Sequence, residues 1–118
     1  MNTKKIGDFG EKAAVDYLME LDYKIHERNF RLKFGEVDII AEKDGCMVFI
    51  EVKTRKNNLF GEPSEYVDHK KQERIKRAAA VYADVENTEV RFDVIEVFYE
   101  EKDEELFLTK INHIENAF

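Results

Sequence analysis

Glu36-Val37-Asp38-Ile39-Ile40-Ala41, then Glu42-Lys43-Asp44-Gly45, then Cys46-Met47-Val48-Phe49-Ile50-Glu51-Val52-Lys53, is the stretch from which the rest of the chain can be read. Two runs of apolar and β-branched residues flank Asp-Gly, a pair that tolerates the positive φ of a tight hairpin turn. With Asp44-Gly45 as a two-residue turn, Lys43 pairs with Cys46 and the register follows. Val37, Ile39 and Ala41 then lie opposite Val52, Ile50 and Val48 as one apolar face. On the other face Asp38 stands opposite Glu51, and Glu36 opposite Lys53. A one-residue slip would mix the two faces, so the apolar pattern supports this register.

Two carboxylates directly opposite each other have Cβ atoms about 4.5–5.5 Å apart, and like charges there destabilise a sheet. A hard divalent cation such as Mg²⁺ would satisfy both while keeping several waters. Lys53 follows Glu51 by two residues, shares its face, and could orient a water or offset charge on a reacting phosphate. The same residues also fit a solvated face on which Lys53 simply pairs with Glu36.

Outward from the hairpin, Ile6–Leu21 repeats Ile6, Phe9, Ala13, Ala14, Tyr17, Leu18 and Leu21 at three- and four-residue steps, the stripe of an amphipathic helix. Tyr23–Phe30 reads as a strand and Asn57–Ser64, with Gly61 and Pro63, as a loop. A second helix is expected over Asp68–Ala83, a strand over Val90–Tyr99, an exposed turn over Glu100–Glu105 and a short last strand over Leu106–Ile111. Helix, three strands, helix, two strands implies an α/β fold with a central mixed β-sheet flanked by helices. With 118 residues and no linker, repeat or low-complexity tract, residues 1–118 are expected to form a single domain.

The net charge of −7 argues at first against nucleic acid as a partner. The excess, however, is C-terminal: residues 84–118 carry 11 acidic and 3 basic side chains, whereas Lys53–Arg77 carries 8 basic and 4 acidic. Arg55, Lys56, Lys70, Lys71, Arg74, Lys76 and Arg77 are candidate phosphate contacts, or else a solvated helix face. Arg28, Arg31 and Lys33 lead into the Asp38 strand and are similarly placed. No apolar run approaches the roughly 20 residues that cross a bilayer, and no signal segment is evident. With a lone Cys46 the expectation is a reduced, cytoplasmic protein without a membrane partner. His26, His69 and His113 lack metal-ligand spacing and read as surface residues.

Four segments together are specific: Gly10-Glu11-Lys12-Ala13-Ala14, Arg28-Asn29-Phe30-Arg31, Gly35-Glu36-Val37-Asp38-Ile39-Ile40 and Val48-Phe49-Ile50-Glu51-Val52-Lys53-Thr54-Arg55. With the ending Ile114-Glu115-Asn116-Ala117-Phe118, they closely resemble the YraN family of small bacterial predicted endonucleases. The resemblance covers essentially the whole chain. It implies a restriction-endonuclease-like domain of the PD-(D/E)xK superfamily, closest to Holliday-junction resolvases. It further implies a nuclease that hydrolyses phosphodiester bonds with Mg²⁺ or Mn²⁺, DNA being favoured over RNA, with branched or flapped structures and a homodimer suggested by analogy. By the same resemblance Asp38 and Glu51 are metal ligands, Glu11 is a third, and Lys53 is the catalytic base or water-orienting group. Gln72 on the second helix is an accessory candidate, and Glu36 competes with Glu11 to complete the metal shell. Val37 stands where the motif's name has proline. Fold does not fix function, and two other classes stay open: a nucleic-acid-binding module that does not cut, and a scaffold whose acidic C-terminal third docks on a basic partner.

Overall fold

In the computed structural model, residues 2–57, 67–84 and 86–118 are described. Among them are two helices and five strands, in the order α1 (Thr3–Glu20), β1 (Lys24–Leu32), β2 (Gly35–Lys43), β3 (Cys46–Lys56), α2 (His69–Tyr82), β4 (Glu89–Lys102) and β5 (Glu105–Ile114). The expected element order holds throughout. β1 starts and ends later than the sequence suggested, and the last strand is longer, at 10 residues. The proposed Asn57–Ser64 loop lies outside the described residues from position 58 onward.

The strands lie side by side in chain order as one sheet. β3 and β4 are parallel and every other neighbouring pair is antiparallel. A parallel pair needs a crossover connection, and α2 lies within it. α1 packs on one face of the sheet, where Ala14, Val15 and Leu18 meet Ile39, Ala41, Val48, Ile50, Ile95 and Val97. α2 packs on the other, where Ile75, Ala78 and Ala79 meet Val37, Ile40, Phe49 and Val94. The central strands are therefore apolar on both sides, as a sheet covered by helices on both faces requires.

Local signals fix the helix ends. Asn2 and Asp68 are N-caps, their side chains accepting hydrogen bonds from the backbone N–H of Lys5 and Lys71, each at 2.8 Å. Exposed i,i+4 pairs Lys4–Asp8 and Lys12–Asp16 line the outer side of α1. α1 also approaches β3 very closely at Gly10, where a Cβ would fall 1.9 Å from Thr54 Oγ1. Only glycine allows that contact. No helix among the described residues is long and apolar enough to cross a membrane.

From the turn as far as Ile39 the hairpin register is the one the turn predicts, whereas the expected Val37–Val52, Asp38–Glu51 and Glu36–Lys53 pairs are not part of the ladder. Asp44 and Gly45 both have positive φ, 50° and 78°, and Lys43, Ala41 and Ile39 pair with Cys46, Val48 and Ile50. The expected continuous apolar face does not extend past Ile39, however. Val37 belongs to the α2-side core while Ile39 and Ala41 belong to the α1-side core. The reason is a break in the ladder: the Val52 N–H donates to Asp38 Oδ2 at 2.8 Å. In β1 the neighbouring Asn29 takes a left-handed φ of 52°. Strand alternation is reset at that level, and the candidate site residues Asp38 and Glu51 gather there.

Candidate active site

The break opens the sheet between β2 and β3 and leaves the Asp38 and Glu51 carboxyls in contact. Asp38 is half-buried, and Glu51 keeps only 7% of its surface exposed. A buried carboxylate loses hydration and resists ionising beside a second one. Burial pushes Asp38 above the ordinary carboxylate range. Burial, with the Asp38 charge added, pushes Glu51 up to about 8. At neutral pH the pair therefore holds a shared proton. The solvated-face alternative fails on this burial, and Glu36 pairs with a lysine other than Lys53.

That lysine is Lys71, on the first turn of α2. Its Nζ donates to Glu36 Oε1 at 2.7 Å and stands 3.8 Å from Glu51 Oε1. The Lys71 hydrogen bond holds the Glu36 carboxyl below its usual range. Burial works against the Lys71 ammonium, but Glu36, Glu51 and Asp38 outweigh it and raise its pKa. Arg74, one turn on, approaches Glu36 at 3.8 Å. Lys53 shares the Glu51 face of β3, and its charge favours the ionised form of Glu51. Asp38 and Glu51 are thus flanked by Lys53 from the strand and Lys71 from the helix.

Glu11 stands on the α1 side of the opening. It is buried, and its Oε1 accepts from Arg28 Nε at 2.9 Å and Asn29 Nδ2 at 3.1 Å. It lines a cleft of about 270 Å³ together with Asp38, Asn29, Arg31 and Thr54, and its charge adds to the pressure on Asp38. Among the described residues no three acid, histidine or cysteine side chains converge as a ready-made metal cage. The fit to a hard cation rests on the two touching carboxyls and on the buried Glu51 Oε2, which receives no hydrogen bond from a neighbouring N–H or hydroxyl group. A buried acceptor without a donor is costly, and a cation would satisfy it together with Asp38. Mg²⁺ is commonly held by one or two carboxylates plus waters and substrate phosphate, so two carboxylates meet its demands.

Other expected site residues lie elsewhere. Gln72 does not extend the acidic pair; its Nε2 donates to the Val67 carbonyl at 2.8 Å, tying down the entry to α2. Arg55 is not a surface phosphate contact. It is 14% exposed, and its Nε lies 2.9 Å from Glu96 Oε2, because a buried glutamate on β4 needs a counter-charge. Lys56 and Lys70 are exposed as expected. Nor is His113 a surface residue: its ring sits between Tyr17 Oη at 3.0 Å and Asp93 Oδ2 at 2.7 Å. The role of Lys71 was missed, though a signal existed. It precedes Ile75 by four residues, so the buried stripe of α2 carries it toward the sheet.

Fold and site together define an α/β domain with a helix on each face of a mixed sheet and a buried acid pair between two lysines where the strands part. The profile of the uncharacterised protein family UPF0102, the family that includes YraN, matches residues 10–97. The chain belongs to that family. It is 50% identical to a UPF0102 protein of Clostridioides difficile (strain 630), over the full length of both chains. It is 48% identical to one of Caldicellulosiruptor bescii, again over both full lengths. A UPF0102 protein of Caldanaerobacter subterraneus is 47% identical over all of this chain and 98% of its own.

Proposed function

We propose that this protein is a divalent-metal-dependent nuclease of the restriction-endonuclease-like kind, acting on DNA in the cytoplasm. One observation carries the reading: two carboxyls, Asp38 and Glu51, are held in contact and buried between Lys53 and Lys71, with a Glu51 oxygen that receives no hydrogen bond from a neighbouring N–H or hydroxyl group. An acid pair serving only the fold gains nothing from that arrangement, since burying unpaired carboxylates costs several kcal/mol. An acid pair that receives a cation gains a site.

Asp38 and Glu51 would hold Mg²⁺ or Mn²⁺, which supplies Lewis acidity to a phosphate oxygen and a more acidic water. Val52 N–H fixes the orientation of Asp38 through its Oδ2, and Asp38 lines the cleft. Lys53 orients the attacking water and offsets negative charge as it builds on the phosphate. Lys71 pairs with Glu36 and approaches Glu51, and would stand as a cation beside a bound phosphate. In the reaction the water oxygen bonds to phosphorus, one bridging P–O bond breaks, and the proton from water ends on the departing oxygen. Glu11 stays tied to Arg28 and Asn29 on the far side of the cleft and tunes Asp38 by its charge.

The test is cleavage of end-labelled branched, flapped, single-stranded and duplex DNA, and of RNA, in Mn²⁺ or EDTA. Metal-dependent cutting should fall by about 10²-fold or more in Lys53→Ala and Asp38→Asn, the scale on which a positioned catalytic group contributes. Cutting that survives both substitutions would place the chemistry elsewhere. A folded protein that cuts nothing while binding DNA would instead be the non-cleaving module.

A further inference from the structure

The alternation of β1 sends Phe30 and Leu32 into the α2-side core. Phe34, next in the same series, lies beyond the end of that strand, in the turn to β2, and remains 54% exposed. The core does not use it. The turn itself is firmly seated, because Gly35 packs against the α2 backbone at Arg74 and Ala78 so tightly that a Cβ there would lie 2.9 Å from the Arg74 carbonyl. An exposed phenyl ring on a seated turn is a rigid apolar projection. Exposed Arg31 and Lys33 precede it in the chain, Arg31 also lines the cleft at Asp38, and the Arg74 backbone lies against the turn. An aromatic ring among cations beside a candidate phosphate-cutting site matches the chemistry of a base-stacking contact.

We infer that Phe34 stacks on an exposed nucleobase of the substrate and thereby selects nucleic acid with an open base face, at a gap, a strand end or a branch, over continuous duplex. The inference rests on the nuclease reading for the identity of the ligand. Phe34 and Asp38 are four residues apart along the turn and strand, so at most about 14 Å of chain separates them. Stacked bases rise about 3.4 Å along one strand, so the ring meets the nucleic acid within a few base steps of the phosphate at Asp38. Inside a continuous duplex every base face there is covered, and opening a step costs energy. At a gap or branch the face is already free.

The chain contains no tryptophan, so Phe34→Trp introduces a single indole whose emission reports stacking directly. The variant is made in the Lys53→Ala background with Mg²⁺, so that DNA is bound and not consumed. Binding is followed independently by anisotropy of labelled oligonucleotides. Gapped and flapped DNA should quench the indole, a dumbbell duplex closed at both ends should not, and an abasic site at the contacted position should restore emission. Phe34→Ala should weaken binding to gapped or flapped DNA on the order of 10-fold, leave dumbbell binding and the thermal midpoint unchanged, and be rescued by Phe34→Tyr. DNA that binds without quenching the indole, or binds Phe34→Ala as tightly as the parent, overturns the inference and leaves the nuclease reading standing. Failure of any nucleic acid to bind overturns both.

Discussion

A carboxyl pressed against another carboxyl keeps its proton to a higher pH than it would in water, and at Glu51 this has consequences for folding. Burial and Asp38 raise Glu51 from its ordinary 4.5 to about 8, and Asp38 moves in the same direction. Between those limits the folded protein binds more protons than the unfolded chain, so stability falls as pH rises. The contribution is complete below the unfolded value and is lost by the time pH passes the folded one. In EDTA the thermal midpoint should therefore drop between about pH 5 and pH 8. Glu51→Gln should flatten most of that drop, and a midpoint that climbs over the same range would contradict the shared-proton account. Mg²⁺ or Mn²⁺ should recover stability chiefly at the upper end, where both carboxylates can ionise against the cation. Lys71 offers a second check. Its ammonium bridges Glu36 and approaches Glu51, so Lys71→Met should lower the metal-free midpoint more at pH 8 than at pH 5.

Elements come together at the site through close backbone approach as much as through apolar burial. Gly10 lets α1 descend onto Thr54 of β3, and the next residue, Glu11, is thereby delivered to Arg28 and Asn29 beside Asp38. Gly10→Ala should cost about 1–3 kcal/mol, the range for overpacking a filled interface, read as a lowered denaturant midpoint. Thr54→Ala in the same chain should recover part of it. An unchanged midpoint would mean that α1 is not seated on β3 as described. This contact also marks where the sequence stops being legible. The hairpin could be read because Asp44-Gly45 fixes a turn and period-2 alternation fixes a register, and both signals are local. The same alternation pointed wrongly at Val37, since the break at Asp38 is made by a side chain capturing the Val52 N–H, which no period reports. Lys71 and Gln72 are adjacent and both polar. Only the seating of α2 on the sheet decides that Lys71 meets the acid pair while Gln72 ties back to Val67. Arg55 and His113 misled for a shared reason: their partners, Glu96 and Asp93, lie on β4, far along the chain.

Across the whole molecule, charge is divided between a buried and a surface role. Asp93, fully buried, takes hydrogen bonds from Arg91, His113 and the Asn116 N–H, and so fastens the C-terminal segment and, through Tyr17, α1 to β4. Removing it by Asp93→Ala strands the half-buried Arg91 guanidinium and leaves the His113 ring without its acceptor, and should cost about 3–5 kcal/mol. The surface role is the one that would meet a polyanion under the proposed function. The chain is −7 overall, so DNA would be repelled at long range unless cations were gathered on the surface it meets; Arg74 approaches Glu36, and exposed Lys56 and Lys70 stand at the end of β3 and the start of α2. Each phosphate contact releases about one counterion, so the logarithm of affinity should fall linearly with the logarithm of salt concentration, with a slope near −0.9 per contact on duplex and about −0.7 on single strands. Lys56→Ala and Lys70→Ala should each weaken DNA binding and reduce the slope by close to one. Arg55→Ala separates the two roles. Its guanidinium is engaged with Glu96 inside the protein, so the substitution should lower thermal stability and leave the salt slope of the folded protein unchanged. A slope that drops in Arg55→Ala by as much as in Lys70→Ala would show that Arg55 leaves Glu96 to reach the nucleic acid.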